Sequence, residues 1–251
     1  MLSTQDQSAI FIDLGCMEYQ TVWKYQEKLL HENIHIKSEW LKRQDGREGP
    51  HTINYLIMVE HPPVYTLGKS GKEGNILIDD DTMRDRGIQY FRTNRGGDVT
   101  FHGPGQLVLY PILDLENFGT DIGQYLRNLE ETVILVLKDY GIPGERSKGE
   151  TGVWIEPLIK QNARKICAIG VRCSRWITMH GLALNVNTDL SYFTSIIPCG
   201  IPDKQVTSMA NELGQQLSVG EVKASMKKNF EFVFKCKLKT DVIPELQISS
   251  L

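Results

Sequence analysis

A cysteine and a lysine carry the chemistry that this sequence most directly predicts. Cys199 stands between Pro198 and Gly200, where proline fixes the approach of the chain and glycine allows a sharp turn. Such an elbow would let a thiol protrude into a cleft. An unperturbed cysteine is only about 3% thiolate at pH 7, so a working nucleophile needs a neighbour that stabilises the anion. The ammonium group of Lys165 is a candidate for that neighbour.

Both residues also have a plain structural interpretation. Cys199 could be a half-buried thiol in a loop. Lys165 leads into the apolar segment at residues 166–170, and a lysine in that position is often a solvated charge at the edge of a strand. The functional interpretation requires Lys165 to point into the same site as Cys199, where the two groups would titrate as a pair.

Two histidines stand beside glycines, His102 before Gly103 and His180 before Gly181. Glycine next to an imidazole leaves room for a ligand, so either ring could orient the thiol or hold a reacting carbonyl group, although a lone histidine is more often structural. Within the segment RGGDVTFHGPGQ at residues 95–106, the stretch Arg95-Gly96-Gly97 could offer bare backbone amides to a phosphate or a carbonyl. It matches neither a Walker A loop nor GxGxxG.

One metal pattern also occurs. Residues 31–35 spell HENIH, which fits the HExxH signature of zinc proteases. On a continuous helix the two histidines would share a face and could hold zinc, with Glu32 as the base. We interpret the match as a chance pattern, since it falls at the end of the predicted helix and no obvious third ligand follows.

Composition is that of an ordinary globular protein, with 251 residues, 41% of them hydrophobic and 24% charged. A net charge of −3 argues against a general nucleic-acid surface. The five cysteines form no CxxC pair, which favours free thiols in a reducing compartment. No apolar run approaches the roughly 18 residues of a membrane span, and the N-terminus lacks signal-peptide features. We therefore expect a cytoplasmic protein without a membrane partner.

Hydrophobic periodicity predicts an α+β fold, a mixed α/β sheet packed by helices. The predicted helices cover residues 19–33, 122–140 and 219–234, the second being the longest, with a short helical turn at 190–196. The predicted strands cover residues 9–14, 54–60, 64–67, 89–94, 107–113, 153–156, 165–172 and 182–186. The charged stretch at 38–51 predicts an exposed loop or hairpin. We expect a single domain over residues 1–251, with its core at about 9–235 and a frayed tail at 240–251.

Taken together, the motifs closely resemble those of the lipoyl(octanoyl) transferase family, also called lipoate-protein ligase B. The family pattern RGGxxTxHGPGQ is matched at residues 95–106. The pattern RKI-x-x-x-G-[VL]-R, followed by HG-x-ALN-x-x-x-DL and PCG, is matched at residues 164–200, and VEHPPVYTLGKSG at 59–71 is a weaker match. The similarity spans roughly residues 9–235. Residues 37–49 match no family motif and look like an insertion.

The resemblance implies the fold of the catalytic domains of lipoate and biotin protein ligases. It implies octanoyl transfer, without ATP or a cofactor, from octanoyl-acyl carrier protein to a specific lysine of lipoyl domains of 2-oxoacid dehydrogenase complexes and of the glycine-cleavage H protein. Carried over by motif, Cys199 is the acyl-thioester nucleophile and Lys165 lowers its pKa. The implied substrate site comprises Arg95, Gly96, Gly97, Asp98, Val99, Thr100, Phe101, His102, Ala168, Ile169, Gly170, His180, Gly181, Leu182 and Ala183.

Three other functions fit parts of the pattern. An ATP-dependent lipoate or biotin ligase would share the fold and need no cysteine nucleophile. A Cys-His thioesterase would use the same thiol and pass the acyl group to water. A non-catalytic module that binds acyl carrier protein would need neither the Cys199 thiol nor the Lys165 amine. The presence of Cys199, Lys165 and the two motif histidines argues against it.

Overall fold

The structure of the chain is a computed structural model that describes residues 7–43, 49–197 and 205–240. The predicted nucleophile Cys199 lies outside the described residues, so its position is not part of the structure presented below. The predicted tail beyond Thr240 lies outside them as well. Thr240 itself ends a strand, so the prediction of a frayed tail was one residue too long.

A mixed sheet of nine strands forms the centre of the described part of the chain. Its order is β12-β1-β2-β6-β10-β9-β8-β7, with β11 paired to β9. The β1–β12, β1–β2 and β9–β11 pairs are parallel, and the other pairs are antiparallel. The strands are β1 Ser8–Cys16, β2 Asn54–Glu60, β6 Gln106–Ile112, β7 Gly144–Ser147, β8 Glu150–Ile155, β9 Arg164–Ser174, β10 Ile177–Asn185, β11 Gln205–Val206 and β12 Lys237–Thr240.

A second, smaller sheet carries the glycine-rich segment. Its described strands are ordered β4-β3-β5, namely β3 Val64–Leu67, β4 Gln89–Arg92 and β5 Val99–His102. The predicted phosphate or carbonyl cradle at residues 95–97 lies in the loop of residues 93–98, which leads into β5, and β5 pairs with β3. The short 3-10 helices Glu73–Asn75 and Leu190–Ser195 flank this sheet.

Helices cover both faces of the large sheet, because its strands are apolar on both sides. The helices α3 (Ile122–Asp139) and α5 (Val219–Phe234) pack on one face, where Leu129, Val133 and Phe230 are fully buried. Helix α1 (Tyr19–Arg43) packs on the other face through Val22 and Leu30. The two short helices are α2 (Asp80–Asp85) and α4 (Met209–Leu213).

Helix α1 corrects two predictions. It continues to Arg43, so the loop or hairpin predicted at residues 38–51 was wrong for residues 38–43. With 25 residues it is also longer than the 18-residue α3, which the sequence predicted to be the longest helix. The extension is held by tertiary contacts. The buried Lys37 ammonium lies 2.9 Å from an Asp114 oxygen and donates to the Arg175 carbonyl oxygen at 3.0 Å, while Asn33 exchanges two hydrogen bonds of 2.8 Å with the backbone of Ile53.

Other predicted elements are close to the observed ones. Strands β2 and β3 and helix α5 have the predicted bounds, and the predicted turn at 190–196 is the 3-10 helix. Strand β10 begins five residues earlier than predicted and includes His180. No helix in the ranges described is both long and apolar enough to cross a membrane.

Candidate active site

A cavity of about 310 Å³ opens beside β9 and β10 and is closed on another side by residues 95–102. Most of the predicted site residues line it. They are Arg95, Gly97, Asp98, Val99, Thr100, His102, Lys165, Ala168, Ile169, Gly170, His180, Gly181, Leu182 and Ala183. The cavity lies in the lower part of the volume range of small-molecule sites. One cavity thus brings together two motifs that are about 60 residues apart in the sequence.

Two predicted site residues do not line the cavity. The Phe101 side chain is buried in the small sheet, stacked on Tyr192 with ring centroids 4.5 Å apart. The Gly96 amide donates to the Val171 carbonyl oxygen at 2.9 Å, so it is not a bare donor for a ligand, as the sequence suggested. Both residues hold the wall of the cavity in place.

Lys165 is half-buried at the start of β9, and its ammonium has two close neighbours from β8. It donates to the Thr151 carbonyl oxygen at 3.3 Å and lies 4.6 Å from the centroid of the Trp154 ring. A cation over the face of an indole ring is attracted by the ring quadrupole. Lys165 is therefore a cation held at the cavity wall, and the alternative of a freely solvated strand-edge charge does not fit these contacts.

The chain on both sides of residues 198–204 reaches the cavity. Phe193, six residues before Cys199, lines it, and so does Val206, which pairs with Lys165 in the β9–β11 ladder. The Thr207 amide also donates to the Lys165 carbonyl oxygen at 2.9 Å. The backbone after the Pro-Cys-Gly segment is therefore bonded to the strand that carries Lys165.

Arg95 organises the loop at residues 93–98. One guanidinium nitrogen donates to the carbonyl and hydroxyl oxygens of Thr66 at 2.6 and 2.9 Å, and the other donates to the Gly96 carbonyl oxygen at 3.0 Å. Asp98 accepts from its neighbour Val99 at 2.7 Å and from the Asn75 amide at 2.7 Å. Both charged side chains are used for loop structure, although both also line the cavity.

His102 belongs to a chain of hydrogen bonds that ends at the Thr207 carbonyl oxygen. The Gln106 amide donates to the Phe101 carbonyl oxygen and to Asn185, so its oxygen accepts from His102 Nδ1 at 2.8 Å. Asn185 in turn donates to the Thr207 carbonyl oxygen at 2.9 Å. This assigns the Nδ1–H tautomer to His102. Burial and the neighbouring His61 hold the pKa of His102 well below its usual range, so the ring is neutral.

His61 and Tyr110 extend this buried group. His61 Nδ1 donates to the Met17 carbonyl oxygen at 2.7 Å, so its Nε2 accepts from the Tyr110 hydroxyl at 2.9 Å. Tyr19 stacks on His102 with centroids 5.8 Å apart and lies against His61 at 5.2 Å. Burial lowers the pKa of His61 to about 4. These contacts give His61 a structural role.

His180 is fixed on β10 through a hydrogen bond of its imidazole ring. The Asn94 amide nitrogen donates to Glu27 at 3.1 Å, so the Asn94 oxygen accepts from His180 Nε2 at 2.7 Å. Burial, with Arg95 and Arg172 nearby, lowers the pKa of His180 to about 3. Gly181 is not there to admit a ligand, because a side chain on it would run into the Leu109 carbonyl group and Pro111 of β6.

The HExxH pattern does not form a metal site. It lies within the continuous helix α1 and not at a fraying end, and both His31 and His35 are exposed. Within residues 7–43, 49–197 and 205–240, no three histidine, cysteine, aspartate or glutamate side chains are grouped to hold a metal ion.

Some residues at the cavity were not predicted as site residues. Gln106 and Asn185 fall inside the quoted motifs, so their motif positions were the available signal. Tyr19 and Tyr110 carry no local signal, because they reach the cavity from a helix end and from a strand with no polar pattern. Residues 149–151 also line the cavity beside Lys165.

Comparison with known proteins defines the class. The model of the lipoyl protein ligase A/B catalytic domain matches residues 18–231, and the chain belongs to this family. Among solved structures, the bipartite lipoate protein ligase of Thermoplasma acidophilum has a TM-score of 0.68 at 19% identity, covering 97% of this chain and 90% of that one. Lipoate-protein ligase A bound with ATP has a TM-score of 0.66 at 17% identity, covering 98% and 92%. The predicted mixed sheet and its likeness to lipoate ligases are confirmed.

Curated relatives show which members of that class the chain resembles in sequence. A protein of Christiangramia forsetii is 53% identical over 228 residues, which cover 90% of this chain and 96% of the relative. A protein of Cytophaga hutchinsonii is 48% identical over 241 residues, which cover 95% and 98%. Both are named octanoyltransferase, and the predicted family resemblance is confirmed.

Proposed function

We propose that the protein transfers an octanoyl group from octanoyl-acyl carrier protein to a specific lysine of lipoyl domains and of the glycine-cleavage H protein, through an acyl thioester on Cys199. The observation that carries the proposal is that relatives about half identical to this chain are octanoyltransferases and that the Lys165 ammonium lies on the wall of the cavity. The catalytic residues are Cys199 and Lys165. The other predicted site residues form the wall around the acyl chain, apart from Gly96 and Phe101, which support that wall from behind.

The first step forms the acyl-enzyme. The Cys199 thiolate attacks the thioester carbonyl carbon, the bond to the carrier sulfur breaks, and the carrier leaves as a thiol once it takes a proton. The Lys165 ammonium stabilises the starting thiolate and can supply that proton. Phe193 and Val206, on the two sides of the Cys199 segment, both line the cavity, which supports a thiol within reach of Lys165.

The second step forms the product amide. The acceptor lysine amine attacks the enzyme thioester, the Cys199 sulfur leaves as a thiolate, and Lys165, neutral after the first step, takes the amine proton, which restores the starting pair of thiolate and ammonium. Exchange between thioesters is nearly isoenergetic and conversion of a thioester to an amide is downhill, so the reaction needs no ATP. The histidines of the cavity have lowered pKa values, and we assign them to shape and hydrogen bonding.

The cavity wall suits a hydrocarbon chain. Leu182, Ala183 and Ile169 contribute apolar surface, and Tyr110 has its hydroxyl turned to His61. Each buried CH₂ is worth about 0.8 kcal/mol, so the enclosed length can select the chain. The four cysteines of the described ranges are free, which agrees with thiol chemistry in a reducing cytosol.

One experiment tests the proposal and separates the alternatives. The protein is incubated with octanoyl-carrier and analysed by mass spectrometry, with Cys199→Ala as the control. We expect one octanoyl adduct on the wild-type protein, none on Cys199→Ala, and loss of the adduct when a lipoyl domain is added and becomes octanoylated. Product formed only from octanoate and ATP would indicate a ligase. Free octanoate formed without an acceptor would indicate a thioesterase.

A further inference from the structure

Glu130 is a buried carboxylate that the proposed mechanism does not use. It lies in the middle of α3 with no exposed surface. One oxygen is 2.7 Å from Arg127 and 3.1 Å from Arg146. The other oxygen accepts from the Gly152 amide of β8 at 3.0 Å. A buried carboxylate is costly unless it is fully paired, so this arrangement calls for a reason.

Gly152 marks a bulge in β8. Its φ is +119°, and the pairing of β8 with β9 shifts register between Val153 and Trp154. A Cβ atom on Gly152 would lie 2.6 Å from the Cys167 carbonyl oxygen, so only glycine fits. Bulges change the direction of neighbouring side chains, and they often lie beside active sites.

The two neighbours of Lys165 lie on either side of this bulge. Thr151, immediately before Gly152, supplies the carbonyl oxygen 3.3 Å from the Lys165 ammonium. Trp154, two residues after Gly152, supplies the ring 4.6 Å from it. The bulge therefore sets the position of both groups that hold the lysine, and the hydrogen bond from Glu130 fixes the bulge to α3.

We propose that Glu130 is a positioning residue for Lys165. Its carboxylate holds the Gly152 bulge so that the Thr151 carbonyl group and the Trp154 ring keep the Lys165 ammonium at the cavity wall. Glu130 does not touch the substrate. The inference rests on the proposed role of Lys165. It adds that Lys165 depends on a carboxylate of helix α3, which does not contact the lysine itself.

The test compares substitutions at two buried carboxylates. Glu130→Gln keeps an oxygen that can accept from the Gly152 amide, and Glu130→Leu removes it. Asp114, which pairs with Lys37 away from the cavity lining, provides the matched control as Asp114→Asn and Asp114→Leu. Transfer is measured as kcat/KM. The pH dependence of Cys199 alkylation by iodoacetamide is followed on the peptide that carries this cysteine, with Lys165→Met as the reference.

We expect Glu130→Leu to lower kcat/KM by about 10- to 100-fold, because displacement of a reacting group by about 1 Å can cost 100-fold. The pH at which Cys199 alkylation reaches half its maximal rate, called the midpoint, should move in this variant toward the value of Lys165→Met. Glu130→Gln should stay within about threefold of the wild type. The Asp114 variants should lower the melting temperature and leave the midpoint unchanged. If Glu130→Leu does not fold, Gly152→Ala disturbs the same bulge with Glu130 intact and should give the same shift.

Separate outcomes identify what fails. A wild-type midpoint in both Glu130→Leu and Gly152→Ala, with an active wild-type enzyme, would overturn the role of Glu130 alone. A wild-type midpoint in Lys165→Met would remove the role on which the inference depends and would overturn it as well. Absence of an octanoyl adduct on the wild-type protein would reject the proposed function, whatever the Glu130 variants do.

Discussion

The cavity has two regions that differ in charge. The Lys165 region, comprising the half-buried Lys165 and Thr151 and the buried Trp154, holds a cation. The histidine cluster, comprising His61, His102, His180, Tyr19 and Tyr110, is buried. Its three imidazoles have pKa values lowered by burial, and the pKa of each of its two tyrosines is raised by burial.

Under the proposed function, this contrast lets one cavity serve both a thioester and a hydrocarbon chain. Chemistry on a thioester needs a charge that can stabilise a thiolate and move a proton. An octanoyl chain needs a surface without charge, since burying an unpaired charge is costly. The cluster supplies neutral rings, several of which bond to neighbours, as Tyr110 does to His61 and His102 to Gln106. The Arg95 guanidinium beside the cluster is bound to Thr66. Histidines near a reacting centre are therefore not general bases by default.

The largest expected effect comes from removing the charge of the Lys165 region. Lys165→Met should lower kcat/KM for octanoyl transfer by about 10² to 10⁴, which is the usual contribution of a positioned proton-transfer group. Lys160→Met, at an exposed lysine beyond the end of β8, is the matched control and should stay near the wild-type value. If kcat/KM of Lys165→Met were within threefold of the wild-type value, the Lys165 charge would not be needed for transfer and the two regions would not differ in function.

The histidine cluster should make stability depend on pH. The folded pKa of each of the three histidines is lowered, so the unfolded chain binds more protons below pH 6.5 and stability is lost as the pH falls. From pH 7.5 to 5.5 the loss is about 1.4 kcal/mol for each histidine, or about 4 kcal/mol in total.

Chemical denaturation at the two pH values measures this loss. His180→Gln should reduce the pH dependence by about a third, whereas the same change at the exposed His51 should leave it unaltered. Equal unfolding free energies at pH 7.5 and 5.5 would show that the cluster is not neutral in the folded protein.

The length of the donor chain tests the apolar part of the cavity. Shortening the donor from octanoyl to hexanoyl removes two CH₂ groups, worth about 1.6 kcal/mol, and should lower kcat/KM by about 15-fold. The same comparison in Lys165→Met should give the same ratio, because the charge acts on the thioester and not on the chain. A ratio near one in the wild type would mean that the chain is not enclosed.

A smaller effect is expected from six basic residues that lie near the site motifs in the sequence, Lys69, Lys72, Arg146, Lys148, Arg172 and Arg175. We call them the rim and expect them to attract an acidic carrier. Arg146 is engaged with Glu130 and Glu131, and Arg172 is near Glu27, which leaves Arg175 and the three exposed lysines; the lysines are tested first. Lys69→Glu, Lys72→Glu and Lys148→Glu together should lower transfer from the carrier by about tenfold at low salt.

A small octanoyl thioester provides the control for that experiment. Its rate should be unaffected by the three charge reversals, because it does not contact the rim. Equal losses with both donors would place these lysines in the chemistry, and no loss with the carrier would reject the rim as a docking surface.

Local sequence predicted those elements whose apolar pattern matched their packing. Strand β2 has the predicted bounds because it is a nearly continuous buried apolar run, and helix α5 has them because its buried positions recur every three or four residues. The second half of α1 was missed, because Lys37 is held by Asp114, 77 residues away, and by Arg175, 138 residues away. No local signal reports partners at that separation.

In the candidate site, too, the sequence did not reveal residues whose contacts come from distant parts of the chain. Motif residues predicted most of the cavity wall, since the resemblance carries spatial information that spacing lacks. Helix α3 was correctly placed, and its one fully buried carboxylate, Glu130, could not be identified, because its partners Arg146 and Gly152 come from β7 and β8. The β9–β11 pairing that ties Val206 to Lys165 was also invisible, because two residues are too few for a strand pattern.

The rate of Cys199 alkylation as a function of pH tests the central claim most directly, because it reports the thiolate in the presence and absence of the Lys165 charge. In the wild type we predict a midpoint clearly below the ordinary cysteine value of about 8.5, and in Lys165→Met a midpoint at or above that value. Superimposable profiles for the two proteins would contradict the claim that the lysine ammonium activates the thiol.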